Sequence, residues 1–200
     1  IHGFEIVREA VDEAAARGIS RKYKEYLRNV MHILEAHPPE GVYICCFCEK
    51  DNLLSQWRSY SANGTGVSIG FNPRGFSYIT GPDSPPSGLI RLWKVFYNRK
   101  TQNSLIRDAL EFAYGERGNR PLTDVAQQAA EAIQFFIPTF KNPDFEEEQE
   151  IRLIFTPFPS SMINPRFRVS RGMLIPYYSL LELDKQPSKC PLPITAVRMG

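Results

Sequence analysis

This 200-residue sequence predicts an α+β fold, with helices packed on a bent or split, mainly antiparallel sheet. Three observations lead there. Helical spacing governs the opening of the chain, strand-like runs alternate irregularly with helices through the middle, and the stretch after Asn142 is strand-rich. Helices first and strands gathered late mark an α+β arrangement rather than a regular strand–helix alternation.

Phe4, Val7, Val11 and Ala14 recur at helical spacing, and Gly18 suits a helix C-cap. Ser20 caps a second helix whose stripe is Tyr23, Tyr26, Leu27, Val30, Met31 and Leu34, ended by Pro38 and Pro39. His32 and His37 lie towards its C-terminus, where a positive charge is favoured, and are read as structural. Val42–Cys48 is the first strand. Asp51 can cap a short helix through Tyr60, the segment ANGTG is a turn, and Gly66–Phe71 is a second strand. GPDSPPSG, from Gly81 to Gly88, is the longest polar loop and a candidate lid or flexible excursion.

Leu89–Tyr97 reads as a strand. Helices follow near Gln102 to Tyr114 and near Thr123 to Phe140, with Pro138 fraying the second. Strands are then expected at Glu148–Phe155, Phe167–Ser170, Met173–Leu183 and Ile194–Met199. The length suits one domain over residues 1–200. Because Ile1 rather than Met opens it, a natural N-terminal segment is expected to precede it.

Composition narrows the function classes. Twenty-four basic against 22 acidic residues leave a net charge of +2, too balanced to argue by itself for nucleic acid or an anionic membrane. No apolar run approaches the roughly 20 residues that span a bilayer, and no signal-peptide pattern opens the chain. A cytoplasmic protein with no membrane partner is therefore expected. Cys45, Cys46 and Cys48 sit inside VYICCFC, with Cys46 and Cys48 on one strand face and Cys45 on the other. They lack zinc-site spacing, so the expectation is buried, reduced, metal-free thiols that form no disulfide with Cys190. GTGVSIG leads into a strand and not a helix N-terminus, so it is not a phosphate cradle.

The densest chemistry lies in the segment from Phe145 to Phe155. Read as a strand throughout, Glu148, Glu150 and Arg152 share one face, and Ile151, Leu153 and Phe155 share the other. Two carboxylates and a guanidinium in one row make a compact site, with Glu150 kept ionised by Arg152. The same row could equally be a solvated strand face. Trp57 and Tyr60, at i,i+3, offer a flat surface to a planar ligand, and Arg58 could reach an anion; the two aromatics would otherwise serve as amphipathic core. A Mg²⁺ nuclease would want a second acidic strand, which the sequence does not offer.

The order CF-x-E, W-x-x-Y, G-x-x-x-G-F, K…F-x-x-E-x-E-x-R and IPY resembles a widespread bacterial family of unknown function. Its members read C-F-S…W-x-x-Y…G-x-x-x-G-F…F-x-x-E-x-E-x-R. The matching residues are Cys46, Phe47, Trp57, Tyr60, Gly66, Gly70, Phe71, Lys141, Phe145, Glu148, Glu150, Arg152, Pro176 and Tyr177, so the resemblance runs from about residue 42 to 200. Cys48 stands where the family has Ser, and the family's opening Y-x-Y-R strand is not in this sequence.

The family's layout is in turn similar to that of ADP-ribosyltransferases, which use an E-x-E strand on NAD. That similarity implies an NAD-using transferase with Glu150 and Glu148 as catalytic residues. It further implies Tyr60, Trp57, Arg58 and Arg152 as cofactor-binding residues, NAD as substrate, and no metal. The acceptor, whether a small molecule, a protein or a nucleic acid, is left open. The rival class is a non-catalytic binding or regulatory module, for example in a defence or toxin system.

Overall fold

In a computed structural model the described residues are 2–17, 20–37, 41–61, 63–76, 88–158, 163–180 and 192–200. They form a mixed α+β structure whose chain divides into two compact units. One is Ile1–Glu40 with Val95–Glu147, and the other is Gly41–Lys94 with Glu148–Gly200.

The first unit is helical. Helices α1 (His2–Ala16), α2 (Arg21–Ala36), α4 (Arg99–Gly115) and α5 (Leu122–Phe136) bury their apolar stripes in one cluster that includes Ile6, Val7, Leu27, Val30, Ile106, Leu110, Val125 and Ile133. The Ser20 cap is the one the sequence predicts, and Asn98 caps the helix that starts at Arg99. The Ser20 side chain accepts from the Tyr23 N–H at 3.3 Å, and the Asn98 side chain accepts from the Thr101 N–H at 3.2 Å. Past Phe136 the chain tightens to a 3₁₀ turn, Ile137–Thr139, because Pro138 cannot continue the hydrogen-bond ladder. Gln102, fully buried, donates to the carbonyls of Phe96 and Lys141 and so ties the two ends of the Phe96–Phe140 bridge to α4. Gly18, Pro38 and Pro39 lie outside the described residues.

The Tyr26 hydroxyl is a buried polar group of this core and needs a partner. It donates to the Leu110 carbonyl at 2.9 Å, and the Tyr26 ring packs 5.1 Å from that of Tyr114. Burial first, and Tyr23 second, push the hydroxyl above its ordinary 10.0. The unfolded chain therefore ionises near pH 10 while the folded one keeps the proton. This contribution to stability is fully present below that pH and is lost as pH rises beyond it. Tyr26→Phe is expected to destabilise by about 1–2 kcal/mol at neutral pH, because a buried hydrogen bond between α2 and α4 is lost. It should also flatten the alkaline decline. Urea unfolding of both proteins at neutral pH and again above pH 10 measures both effects; equal alkaline slopes would remove Tyr26 as the source.

The second unit holds the sheets. Strands β1 (Tyr43–Cys48), β4 (Glu150–Pro157) and β3 (Gly88–Lys94) form an antiparallel sheet in the order β1-β4-β3. Strand β2 (Val67–Phe71) pairs with β7 (Ile194–Met199), and β5 (Arg166–Ser170) with β6 (Met173–Tyr177), both antiparallel. The split, antiparallel sheet expected from the sequence is the one observed. One face of the β1-β4-β3 sheet carries the unit's apolar core, built on Ile90, Leu153 and Phe155 with Phe76, Tyr43 and Phe47.

Several boundaries differ from expectation, among them the end of α5, which falls at Phe136 and not at Phe140. Helix α3 (Leu54–Tyr60) begins after Leu53, too far along for Asp51 to cap; Asp51 pairs instead with Arg198 at 2.9 Å. Strand β3 ends at Lys94 and β6 at Tyr177, both earlier than the apolar pattern suggests. Most of the Gly81–Gly88 loop lies outside the described residues; Gly88 is the first residue of β3.

The G-x-x-x-G spacing has a packing cause. A Cβ on Gly66 would stand 2.9 Å from the Ser61 Cβ, and one on Gly70 would stand 3.3 Å from the Ala196 Cβ across β7. The glycines are there because neighbouring chain comes that close.

Candidate functional site

The register of the three-stranded sheet builds the site. β1 pairs Cys46 with Arg152 and Cys48 with Glu150, and β3 pairs Trp93 with Arg152 and Arg91 with Ile154. Directly paired residues share a face, so Cys46, Cys48, Glu150, Arg152, Arg91 and Trp93 stand together opposite the apolar core. Glu150 is 5% exposed, and the Arg152 side chain is 13% exposed. Arg152 grips Glu150 with both arms, Nε to Oε1 at 2.9 Å and an η-nitrogen to Oε2 at 3.1 Å. This is the fork-to-carboxylate geometry that fixes orientation as well as charge.

Glu148 is not in that row. The segment Pro143–Glu148 winds as a 3₁₀ helix, and Gln149 takes a left-handed φ of 42°, so the strand starts at Glu150 and not at Glu148. The expected two-carboxylate row is thus corrected to Glu150 and Arg152 alone. Backbone contacts impose the break: the Glu49 N–H donates to the Gln149 carbonyl at 3.0 Å, and the Cys48 thiol donates to the Glu148 carbonyl at 2.8 Å.

The cysteine expectation is also corrected. Cys45, Cys46 and Cys48 are free thiols, but Cys45 and Cys46 are exposed and Cys48 is half-buried, not buried as expected. The cause is position, since β1 is an edge strand of its sheet. The Cys46 thiol is nonetheless pushed upward, first by desolvation amid the surrounding protein, then by its hydrogen bond to Glu150 and that carboxylate's charge. Arg152 pulls the other way, and water at the exposed edge screens both charges without reversing the direction. Cys46 is therefore a weak nucleophile that serves as a donor to Glu150. Cys190 lies outside the described residues. Among the described residues no group of three His, Cys, Asp or Glu side chains could hold a metal ion.

The other candidates sit on α3. Trp57 is half-buried and donates its indole N–H to the Asn52 side chain at 2.9 Å; Arg58 is exposed, and Tyr60 is 75% exposed. No residue of α3 is buried, so the core role open to Trp57 and Tyr60 does not apply. Arg91 and Trp93 escaped the sequence reading. Arg91 is buried, and burial lowers its guanidinium to about 10. The signal was available, because Arg91 is a lone charge inside the apolar run Leu89–Trp93, and period 2 puts it on one face with Trp93.

A mixed α+β fold carrying a buried, forked Glu–Arg pair on an antiparallel sheet is the class this geometry defines. Residues 56–153 match a family described as "Protein of unknown function (DUF2971)". The match takes in Trp57, Tyr60, Gly66, Gly70, Lys141, Phe145, Glu148, Glu150 and Arg152, and it stops short of Cys46 and Tyr177. Within it, the Lys141 ammonium lies 5.0 Å from the centre of the Phe145 ring, a cation–π contact between two of the patterned residues. No curated protein and no solved structure matches the chain. No helix among the described residues is long and apolar enough to cross a membrane.

Proposed function

We propose that this chain is an NAD-using, ADP-ribosyltransferase-like transferase whose chemistry centres on Glu150. The observation that supports the reading is the fixed, nearly buried Glu150 carboxylate, held by two hydrogen bonds from Arg152. When the bond between nicotinamide and ribose breaks, the electron pair leaves with nicotinamide and positive charge develops on the sugar. A carboxylate already oriented and shielded from water stabilises that charge without reorganising. Arg152 fixes the carboxylate, and the Cys46 thiol donates to it. Trp57 and Tyr60 offer ring surface for nicotinamide, and Arg58 and Arg91 are guanidiniums that suit a pyrophosphate. In this reading Glu148 acts from the 3₁₀ turn beside the strand. NAD is the substrate, no metal takes part, and the chemistry suits a cytoplasmic protein, where NAD is supplied.

The test is nicotinamide release from NAD by the full-length protein, with and without Glu150→Gln. That change keeps shape and removes charge, and it should cut the rate on the order of a hundredfold or more. Full activity in Glu150→Gln, or no binding and no turnover of NAD by the full-length protein, sinks the reading.

One observation favours a second reading, a non-catalytic binding module such as a component of a defence or toxin system. Arg152 engages both oxygens of Glu150, and Glu148 is absent from the row, so the pair suffices as a structural pin. In that case NAD is not consumed and only the stability effect of the pair remains.

A further inference from the structure

The balanced net charge of the chain conceals an uneven distribution. The helical unit holds twelve basic and fifteen acidic residues, a net −3, while the sheet unit holds twelve basic and seven acidic, a net +5. Within the sheet unit no Asp or Glu occurs between Glu150 and Glu182, and that interval contains Arg166, Arg168 and Arg171, all exposed. They lie on the β5–β6 hairpin. Arg166 faces Tyr177 and Arg168 faces Ile175 across the ladder, and Arg171 occupies the turn. Arg171 and Gly172 have φ of 49° and 76°, the two positive values of a tight two-residue turn that closes Ser170 onto Met173. The other face carries Phe167 and Val169 opposite Pro176 and Leu174, and Phe167, Val169 and Leu174 are 62%, 74% and 71% exposed. The Phe167–Val169 face of this ribbon is thus exposed, and its cations run along its length to its tip.

We propose that the β5–β6 hairpin is a docking element for double-stranded DNA, with Arg166, Arg168 and Arg171 on backbone phosphates. The proposal is independent of the reading of Glu150. A two-stranded ribbon, with strands about 4.8 Å apart, fits the roughly 12 Å width of the B-form major groove. There exposed apolar side chains meet thymine methyl groups while guanidiniums reach the walls. A tip bearing Arg171 is poorly suited to insertion among lipid tails, which sets DNA above an anionic membrane. The major groove of A-form RNA is too narrow to take a ribbon.

The experiment is fluorescence anisotropy of a short labelled DNA duplex titrated with the full-length protein across a salt series. Three phosphate contacts give log K against log salt a slope of about −2.7, and Arg168→Ala alone should reduce its magnitude by about 0.9. The combined change of Arg166, Arg168 and Arg171 to Glu should weaken binding more than about a hundredfold, since attraction at three phosphates becomes repulsion. Arg28→Glu, an equivalent single charge change on α2, should leave binding nearly unaltered. Circular dichroism confirms that these exposed changes leave the protein folded. Absence of duplex binding at low salt, binding that survives the triple change, or attachment to phosphatidylserine vesicles without duplex binding overturns the proposal.

Discussion

Arg152→Ala is expected to lower the stability of the protein by about 3–5 kcal/mol. Glu150 is 5% exposed, and Arg152 supplies hydrogen bonds to both of its oxygens. Removing the guanidinium takes both of these hydrogen bonds and the compensating charge from a nearly buried carboxylate. For a chain of this length the loss corresponds to a fall in midpoint temperature between roughly 6 and 20 °C. Arg152→Lys keeps the charge but not the fork, so an intermediate loss is expected. The double change Glu150→Gln with Arg152→Met removes both charges and should recover most of the stability, because a buried pair offsets much of its own attraction by desolvation. Urea unfolding followed by the fluorescence of Trp57 and Trp93 separates the three variants. If Arg152→Ala stays within about 1 kcal/mol of the parent, Glu150 has other support and the pair is not the pin of this sheet face.

What was legible in the sequence follows from how local the deciding interactions are. Helix α2 could be read in full because its cap, Ser20, and its stripe from Tyr23 to Leu34 lie within the segment itself. Pro138 marked the weak end of α5, although the predicted helix runs to Phe140 and the observed one stops at Phe136 before a 3₁₀ turn. The start of β4 was not legible. Period 2 runs unbroken through Glu148, Glu150 and Arg152, and the break at Gln149 is imposed by Glu49, a hundred positions away in the sequence. The cysteines show the same limit: VYICCFC reads as a buried strand, and only the pairing order reveals that β1 is an edge. The division into two units was hidden as well, because each is assembled from two separate stretches of chain. Charge asymmetry between the units becomes visible only once that division is known.

Gly88→Val is expected to be the most damaging single change in β3. Gly88 pairs with Pro157 at the end of the β3–β4 ladder, and a Cβ there would run into the Phe155 ring. It would also lie 2.5 Å from the Thr156 carbonyl oxygen and 2.8 Å from the Pro157 Cα. Phe155, 4% exposed, belongs to the apolar core of the sheet unit with Ile90 and Leu153, so its ring has little room to yield. The other two atoms are backbone of β4, the strand that carries Glu150 and Arg152. Relief therefore requires the strand end to part, which exposes core and breaks ladder hydrogen bonds. Alanine alone should cost about 2–3 kcal/mol, at the upper end for overpacking, and valine more, since its branches add volume where none is free. Leu89→Ala is the control one residue on; Leu89 is 42% exposed and its truncation should change stability by less than about 1 kcal/mol. Thermal melts of the three variants give the ranking directly. A Gly88→Val protein as stable as the Leu89→Ala one would mean that the β3 entry is not packed against Phe155 in solution.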